Sequence, residues 1–352
     1  MNKLIAFVFA FAVFFLCNGT GSAQSGFMEY DHILFPEHGW SISDNTKILT
    51  QFELRNEVWR EVNLSEGTKP DDESDSFELS DDNFKVKKVY AWHKFANKHE
   101  LSLGLMEGGT WGTGFQDTES DVYRVRYDAP INLGTFIAAL QKVKEQGDGD
   151  SVSEDNNDDV YILGFIAKIA NVYAKPLLIY RQLEDRTADI YEADLAFNGN
   201  FGNFGFEAEL GMINTNWDTN KVALTVEDST TYGAYMNVWH DSGTSMVGVL
   251  GAYGSFDKSD DERGGIAHGF GDDFDGGGAL LLGDTITFYD DKKGGGDSLA
   301  GSSLFALYGN YDISDKFNIS GYAGYARCLI NIPNDKWNGA SAWELSFNAA
   351  YE

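Results

Sequence analysis

Apolar and polar positions alternate along this chain with a period of two. In "QFELRNEVW", residues 51–59, Phe52, Leu54 and Val58 alternate with Glu53, Arg55 and Glu57. Leu101, Leu103 and Leu105 share one face of their segment. Tyr123, Val125 and Tyr127 oppose Arg124, Arg126 and Asp128. Tyr161, Leu163, Phe165 and Ala167 oppose Lys168. Tyr191, Ala193, Leu195 and Phe197 oppose Glu192 and Asp194, and Phe204, Phe206, Ala208, Leu210 and Met212 oppose Glu207 and Glu209. Near the end, Trp343, Leu345, Phe347, Ala349 and Tyr351 oppose Glu344, Ser346 and Asn348. Side chains on a strand point to alternate faces, whereas a helix repeats every 3.6 residues. The pattern therefore predicts an all-β chain.

Two architectures fit such alternation. A soluble sheet packs one face on a core and wets the other. A membrane barrel turns the apolar face to lipid and the polar face to a water-filled lumen. The connections discriminate between them. Strands are expected to start near Ile48, Phe84, Glu100, Asp121, Leu133, Val160, Ala174, Ala188, Asn203, Thr230, Thr244, Ser302, Phe317 and Ala342. Between them, short turns at 96–99, 129–132, 170–173, 199–202, 241–243 and 312–316 alternate with mostly long loops at 65–83, 107–120, 144–159, 213–229, 255–301 and 327–341. The segment 184–187 is a short exception on the long side. Short turns at one end and long loops at the other are the pattern of an outer-membrane up-and-down barrel. A Greek-key sandwich has no reason to sort its loops this way. The expected fold is an all-β, transmembrane antiparallel β-barrel of about 14–18 strands. Residues 27–42 and "LLLGDTITFY" are candidates for further strands.

The first residues add an address. Lys3, the apolar run 4–16 and the small residues Gly21-Ser22-Ala23 read as a cleaved export signal at 1–23. That run is too short to span a bilayer as a helix. Residues 24–46 are then an N-terminal periplasmic or lumen segment, and 47–352 the barrel. The acidic end Tyr351-Glu352 lacks a terminal aromatic, so the last strands are expected either to be missing or to end atypically. Cys328 is the one cysteine after the leader, which excludes an internal disulfide.

Charge narrows the partners. Removing Lys3 with the leader from 26 basic residues leaves 25 against 55 acidic ones, a formal charge of −30. Such a surface repels nucleic acid and attracts cations.

The chain resembles Gram-negative outer-membrane porins in its leader, its hairpin meander and "GTWGTGFQDTESDVYRVRYD". It resembles porin-like and alginate-export-like barrels in particular through Trp111, Gly112 and Phe115, followed by an acidic strand start. The resemblance implies passive passage of small hydrophilic solutes, or export of an anionic polysaccharide. A polyanion would be repelled unless Arg and Lys lined its path.

Glu53, Arg55, Glu57, Arg124, Arg126, Lys168, Arg181, Glu192, Asp194, Glu207 and Glu209 fall on faces assigned to the lumen. As rings of charge they would set ion selectivity, and the excess of acids favours cations. The bland reading of each is a solvated lumen residue. Asp272, Asp273 and Asp275, in a glycine-rich stretch at 264–278, offer carboxylate oxygens to Ca²⁺. The same stretch also reads as a solvated loop, or as one that folds inward to narrow the channel. The acidic run 147–159 lacks the spacing of an EF-hand. His32 and His38 have no third ligand nearby. No Gly-x-Ser-x-Gly elbow is present, so no enzyme is expected. No cofactor is required. Trp111, Tyr123, Tyr161, Trp239, Tyr253 and Trp343 are expected in an interfacial girdle. Expected partners are outer-membrane lipid and lipopolysaccharide, small solutes and ions, and further copies in a homotrimer. Besides the channel, an outer-membrane barrel enzyme and a plugged structural or adhesive barrel remain alternatives.

Overall fold

The computed structural model describes residues 32–34, 38–55, 84–107, 111–113, 115, 121–145, 157–183, 188–217, 228–255, 301–329 and 339–351. The export signal, Glu57, Asp272, Asp273, Asp275 and "LLLGDTITFY" lie outside the described residues. The described residues form 16 strands and no helix. They are β1 (His32–Leu34), β2 (His38–Ser43), β3 (Thr46–Arg55), β4 (Phe84–Lys94), β5 (Glu100–Glu107), β6 (Asp121–Ile131), β7 (Gly134–Glu145) and β8 (Asn157–Ile169). There follow β9 (Val172–Leu183), β10 (Ala188–Phe201), β11 (Phe204–Trp217), β12 (Ser229–Asp241), β13 (Ser245–Gly254), β14 (Ser302–Ser314), β15 (Phe317–Cys328) and β16 (Ser341–Tyr351). Each of the 14 expected strands is present, within a few residues of its expected start, and β1 and β2 are the additional ones suspected in 27–42.

The chain divides into two units. In the first, residues 1–34 and 53–85, β1 pairs antiparallel with the end of β3, His32 opposite Arg55 and Leu34 opposite Glu53. In the second, residues 35–52 and 86–352, β2 and β3 form a hairpin and the strands from β4 to β16 follow as nearest neighbours in chain order. Every pairing is antiparallel, so the sheet is an up-and-down meander. Among the described residues no ladder joins β16 back to β2 or β3.

The turn ends are tight because the residues there tolerate unusual backbone. Gly202, between β10 and β11, has φ +61°, a conformation glycine adopts without a steric cost. Ala170 does the same work between β8 and β9 at φ +55°, where its Cβ makes the conformation unfavourable. The acidic run expected as a loop through 159 gives its last three residues to β8. There Asp159 lies directly opposite Lys142, and opposite charges facing across a ladder favour pairing.

Direct cross-strand partners share a face, so the register sorts side chains in rows. Val125, Leu140, Tyr161, Tyr180 and Tyr191 form one row across β6 to β10. Tyr127, Ala138, Leu163, Leu178, Ala193 and Met212 form the next. These rows face outward, with Leu163, Leu178 and Met212 among the exposed large apolar residues. The opposite, inner face is buried. Ile190, Ile213, Tyr235, Leu250, Leu304 and Tyr322 meet there in one cluster, drawn from β10 to β15.

Candidate functional site

A short segment enters the inner face between β5 and β6. Its described residues are Trp111, Gly112, Thr113 and Phe115, here called the strap. The Trp111 indole N–H donates to the Lys175 backbone carbonyl at 2.9 Å. The ring stands against β8 at Gly164, where any Cβ would collide with it. The Thr113 backbone N–H and hydroxyl both donate to Glu209 Oε2, at 2.6 and 2.7 Å. Gly112 packs so close to that carboxylate that a Cβ there would also collide. Phe115 is 0% exposed and stacks on Tyr235, ring centroids 5.7 Å apart, within the inner-face cluster. A hydrogen bond to a charged group contributes about 1.5–3 kcal/mol, and burying a Phe side chain about as much.

Glycines leave part of one row of the inner face without side chains. Gly211 and Gly233 are direct partners on the inner face of β11 and β12, and both are buried. Gly254 continues the row on β13, buried as well. Pro176 lies within β9, and the β8–β9 ladder skips from the pair Gly164–Leu177 to Ala167–Ala174. Proline has no N–H to give there.

The inner-face charges are mostly engaged. Glu207 accepts hydrogen bonds from the Tyr235 hydroxyl at 2.6 Å and from Asn237 at 3.3 Å. Glu192 pairs with Arg181 at 2.8 Å. Arg126 binds Asp128 with both Nε and a terminal nitrogen, and Arg124 donates to Gln141 at 2.6 Å. Asp194 lies on the same face, 7% exposed. The structure thus gathers Glu192, Asp194, Glu207 and Glu209 on two adjacent strands beside the strap, with Arg181 on β9 next to them. Lys168 stands apart, exposed two residues before the turn, with its ammonium 5.2 Å from the centre of the Tyr173 ring. Glu53 and Arg55 belong to β3. Among the described residues no group of three or more His, Cys, Asp or Glu is placed to hold a metal ion.

Two of the expected girdle residues are inside instead. Trp111 belongs to the strap. Trp239 pairs directly with Gly205 on the face that carries Glu207, and its indole occupies the space a Cβ of Gly205 would take. Both rings fill volume that a glycine opposite leaves empty. The remaining aromatics do form outward rows. Tyr161, Tyr180 and Tyr191 stack in sequence at 5.8 and 5.0 Å, and Tyr325 packs on Trp343 at 4.5 Å. The strap itself was missed by sequence reasoning. The available signal was Gly164, a glycine at an inner-face position where the period-two pattern called for a lumen side chain.

No protein-family model matches the chain. No curated protein matches it either. Several solved structures are similar to it. An anion-selective porin from Comamonas acidovorans is 12% identical, with 90% of this chain and 87% of that one covered and a TM-score of 0.48. OpdK from Pseudomonas aeruginosa, solved with vanillate, is 11% identical, with 91% and 82% covered and a TM-score of 0.48. OmpT, an outer membrane protein of Vibrio cholerae, is 8% identical, with 90% and 87% covered and a TM-score of 0.44. The chain's own two faces define its class: an all-β, up-and-down meander of the transmembrane-barrel kind, with an exposed apolar outer face and with Glu192, Asp194, Glu207 and Glu209 on the inner one.

Proposed function

We propose that the protein is an outer-membrane channel for passive diffusion of ions and small hydrophilic solutes, with a preference for cations, and that it is not an enzyme. The observation that carries this reading is the contrast between faces. Leu163, Leu178, Leu210, Met236, Phe305 and Leu345 expose apolar side chains outward, while Glu192, Asp194, Glu207 and Glu209 point inward. An exposed apolar band of that size belongs in lipid. In hydrocarbon an open sheet edge leaves backbone groups without partners, so β16 closes on the first strands in the bilayer. Thirteen strands or more then surround a bore that the strap narrows from one side. The acidic balance of the chain supports cation preference through the field at the pore mouths.

The inner cluster around Phe115 favours a second reading, a barrel plugged for a structural role. Planar-bilayer recording separates the two. The channel reading expects discrete conductance steps from the refolded protein and a reversal potential in a KCl gradient of the sign set by potassium. A bilayer that stays silent with heat-modifiable, β-rich protein inserted supports the plugged barrel. A chloride-signed potential removes the cation preference and keeps the channel.

A further inference from the structure

We infer that the inner wall formed by β11 to β14 binds organic cations of the quaternary-ammonium class, received on the ring faces of Trp239 and Tyr308 beside the Glu207 carboxylate. The inference rests on the channel reading above, which brings solutes to this wall.

The ring orientations follow from the glycines beneath them. Gly205 and Trp239 are direct cross-strand partners, as are Gly248 and Tyr308. A Cβ on Gly205 would strike Trp239 Cε2 first, and then Cζ2 and Nε1, the two atoms bonded to it. A Cβ on Gly248 would strike Tyr308 Cζ first, and then its bonded neighbours Oη and Cε1. In both cases the middle atom of the three is the nearest. A ring standing on its edge would present an outer atom first, so each ring lies face-down on its glycine. Gly205 and Gly248 are buried, while Trp239 and Tyr308 keep partial exposure. The second face of each ring is therefore turned away from the wall. The two glycines sit two strands apart in one row, which sets the ring faces roughly 10 Å apart.

The charges around the rings select the sign of the ligand. Three consecutive inner-face rows between β11 and β16, those through Glu207, Trp239 and Asp241, hold the acids Glu207, Asp241 and Glu344 and no Lys, Arg or His. Glu207 stands two residues from Gly205 on the same strand, about 7 Å along the wall from the glycine that Trp239 covers. Its donors, the Tyr235 hydroxyl and the Asn237 amide, are neutral and leave its charge in place. Asn237 also accepts from the Tyr308 hydroxyl at 2.8 Å, so one network holds both the carboxylate and the second ring. A cation over the face of Trp or Tyr is attracted by the ring quadrupole. A quaternary ammonium has no N–H to keep hydrated, and its methyl groups rest on the ring. An anion would meet like charge here. The inner face already makes such a contact with its own side chain, the Lys168 ammonium 5.2 Å from the centre of the Tyr173 ring, in the row of Glu207.

The test uses the full-length protein refolded in detergent. The probe is choline chloride, and the control is its neutral tert-butyl isostere, in which carbon replaces the charged nitrogen. Saturation-transfer NMR on the methyl protons reads binding, with ionic strength held constant by NaCl. Choline is expected to bind saturably, and the isostere about tenfold more weakly. Trp239→Leu should weaken choline about tenfold, whereas Trp239→Phe, which keeps an aromatic face, should retain most of the affinity. Glu207→Gln should weaken choline and leave the isostere unchanged. Absence of choline binding to the native protein, or equal binding of the two probes, overturns the inference, and neither result depends on a variant folding. Unchanged choline affinity in heat-modifiable Trp239→Leu and Tyr308→Leu overturns it as well. In bilayers, choline should block potassium current through the native channel and block Trp239→Leu less. If no protein forms channels, the channel reading fails, and the binding measured in detergent still decides the site.

Discussion

Glu209 and Leu210 are neighbours in the chain and sit in different solvents. Leu210 is 53% exposed on the outer face, while Glu209 is 1% exposed on the inner one. Period-two alternation made the sides of these two residues legible, because parity alone assigns a face. It did not show what each charge does there. The acids on the inner face were expected to be wet, yet Glu192 and Glu209 are buried and individually bonded. Parity carries no information about cross-strand partners, which depend on register. Leu210→Arg should cost roughly 2–4 kcal/mol in unfolding titrations, as expected for a cation on a lipid face. Lys168→Ala, at an exposed turn end, should stay within about 0.5 kcal/mol of the native protein. Equal costs for the two would mean that the outer face does not meet lipid. At Ala170, with φ +55°, Ala170→Gly should stabilise the fold by about 1 kcal/mol in the same titration.

Among the elements, the strands from β3 to β16 were readable because each repeats its signal over about ten residues. The strap has no such repeat. Trp111, Gly112 and Phe115 look like girdle residues in a loop, and only the folded wall explains them. The glycine that receives the Trp111 ring, Gly164, lies far along the chain on β8. Its emptiness has meaning only once the strands are in register. If the strap is part of the packed interior, Phe115→Ala should cost about 3–5 kcal/mol, the range for removing a buried Phe ring from a core. A strap merely resting against the wall would lose under about 0.5 kcal/mol, as a surface substitution does. Chemical unfolding followed by tryptophan emission checks this, since Trp111 itself reports the strap's environment.

At the scale of the molecule, charge and bore act over different distances. The chain carries 55 acidic residues against 26 basic ones. Many of the acids fall in the connections at 65–83, 144–159 and 255–301, which belong largely to the undescribed stretches. On the described inner wall, by contrast, several acids are already matched by Arg181, Thr113, Tyr235 or Asn237. The cation preference proposed above would therefore rest mainly on the long-range field of the chain's acidic excess rather than on a ring of bare carboxylates along the described inner wall. Such a field is screened by salt, with a Debye length of about 10 Å at 0.1 M and about 3 Å at 1 M. Reversal potentials measured at a fixed KCl ratio should thus show a potassium preference at low salt that shrinks toward zero as total salt rises. A preference that holds at 1 M would place the deciding charge within the bore itself. Asp194→Asn and Glu192→Gln would then identify the carboxylate responsible, since only a charge within a few ångströms of the ion path escapes that screening.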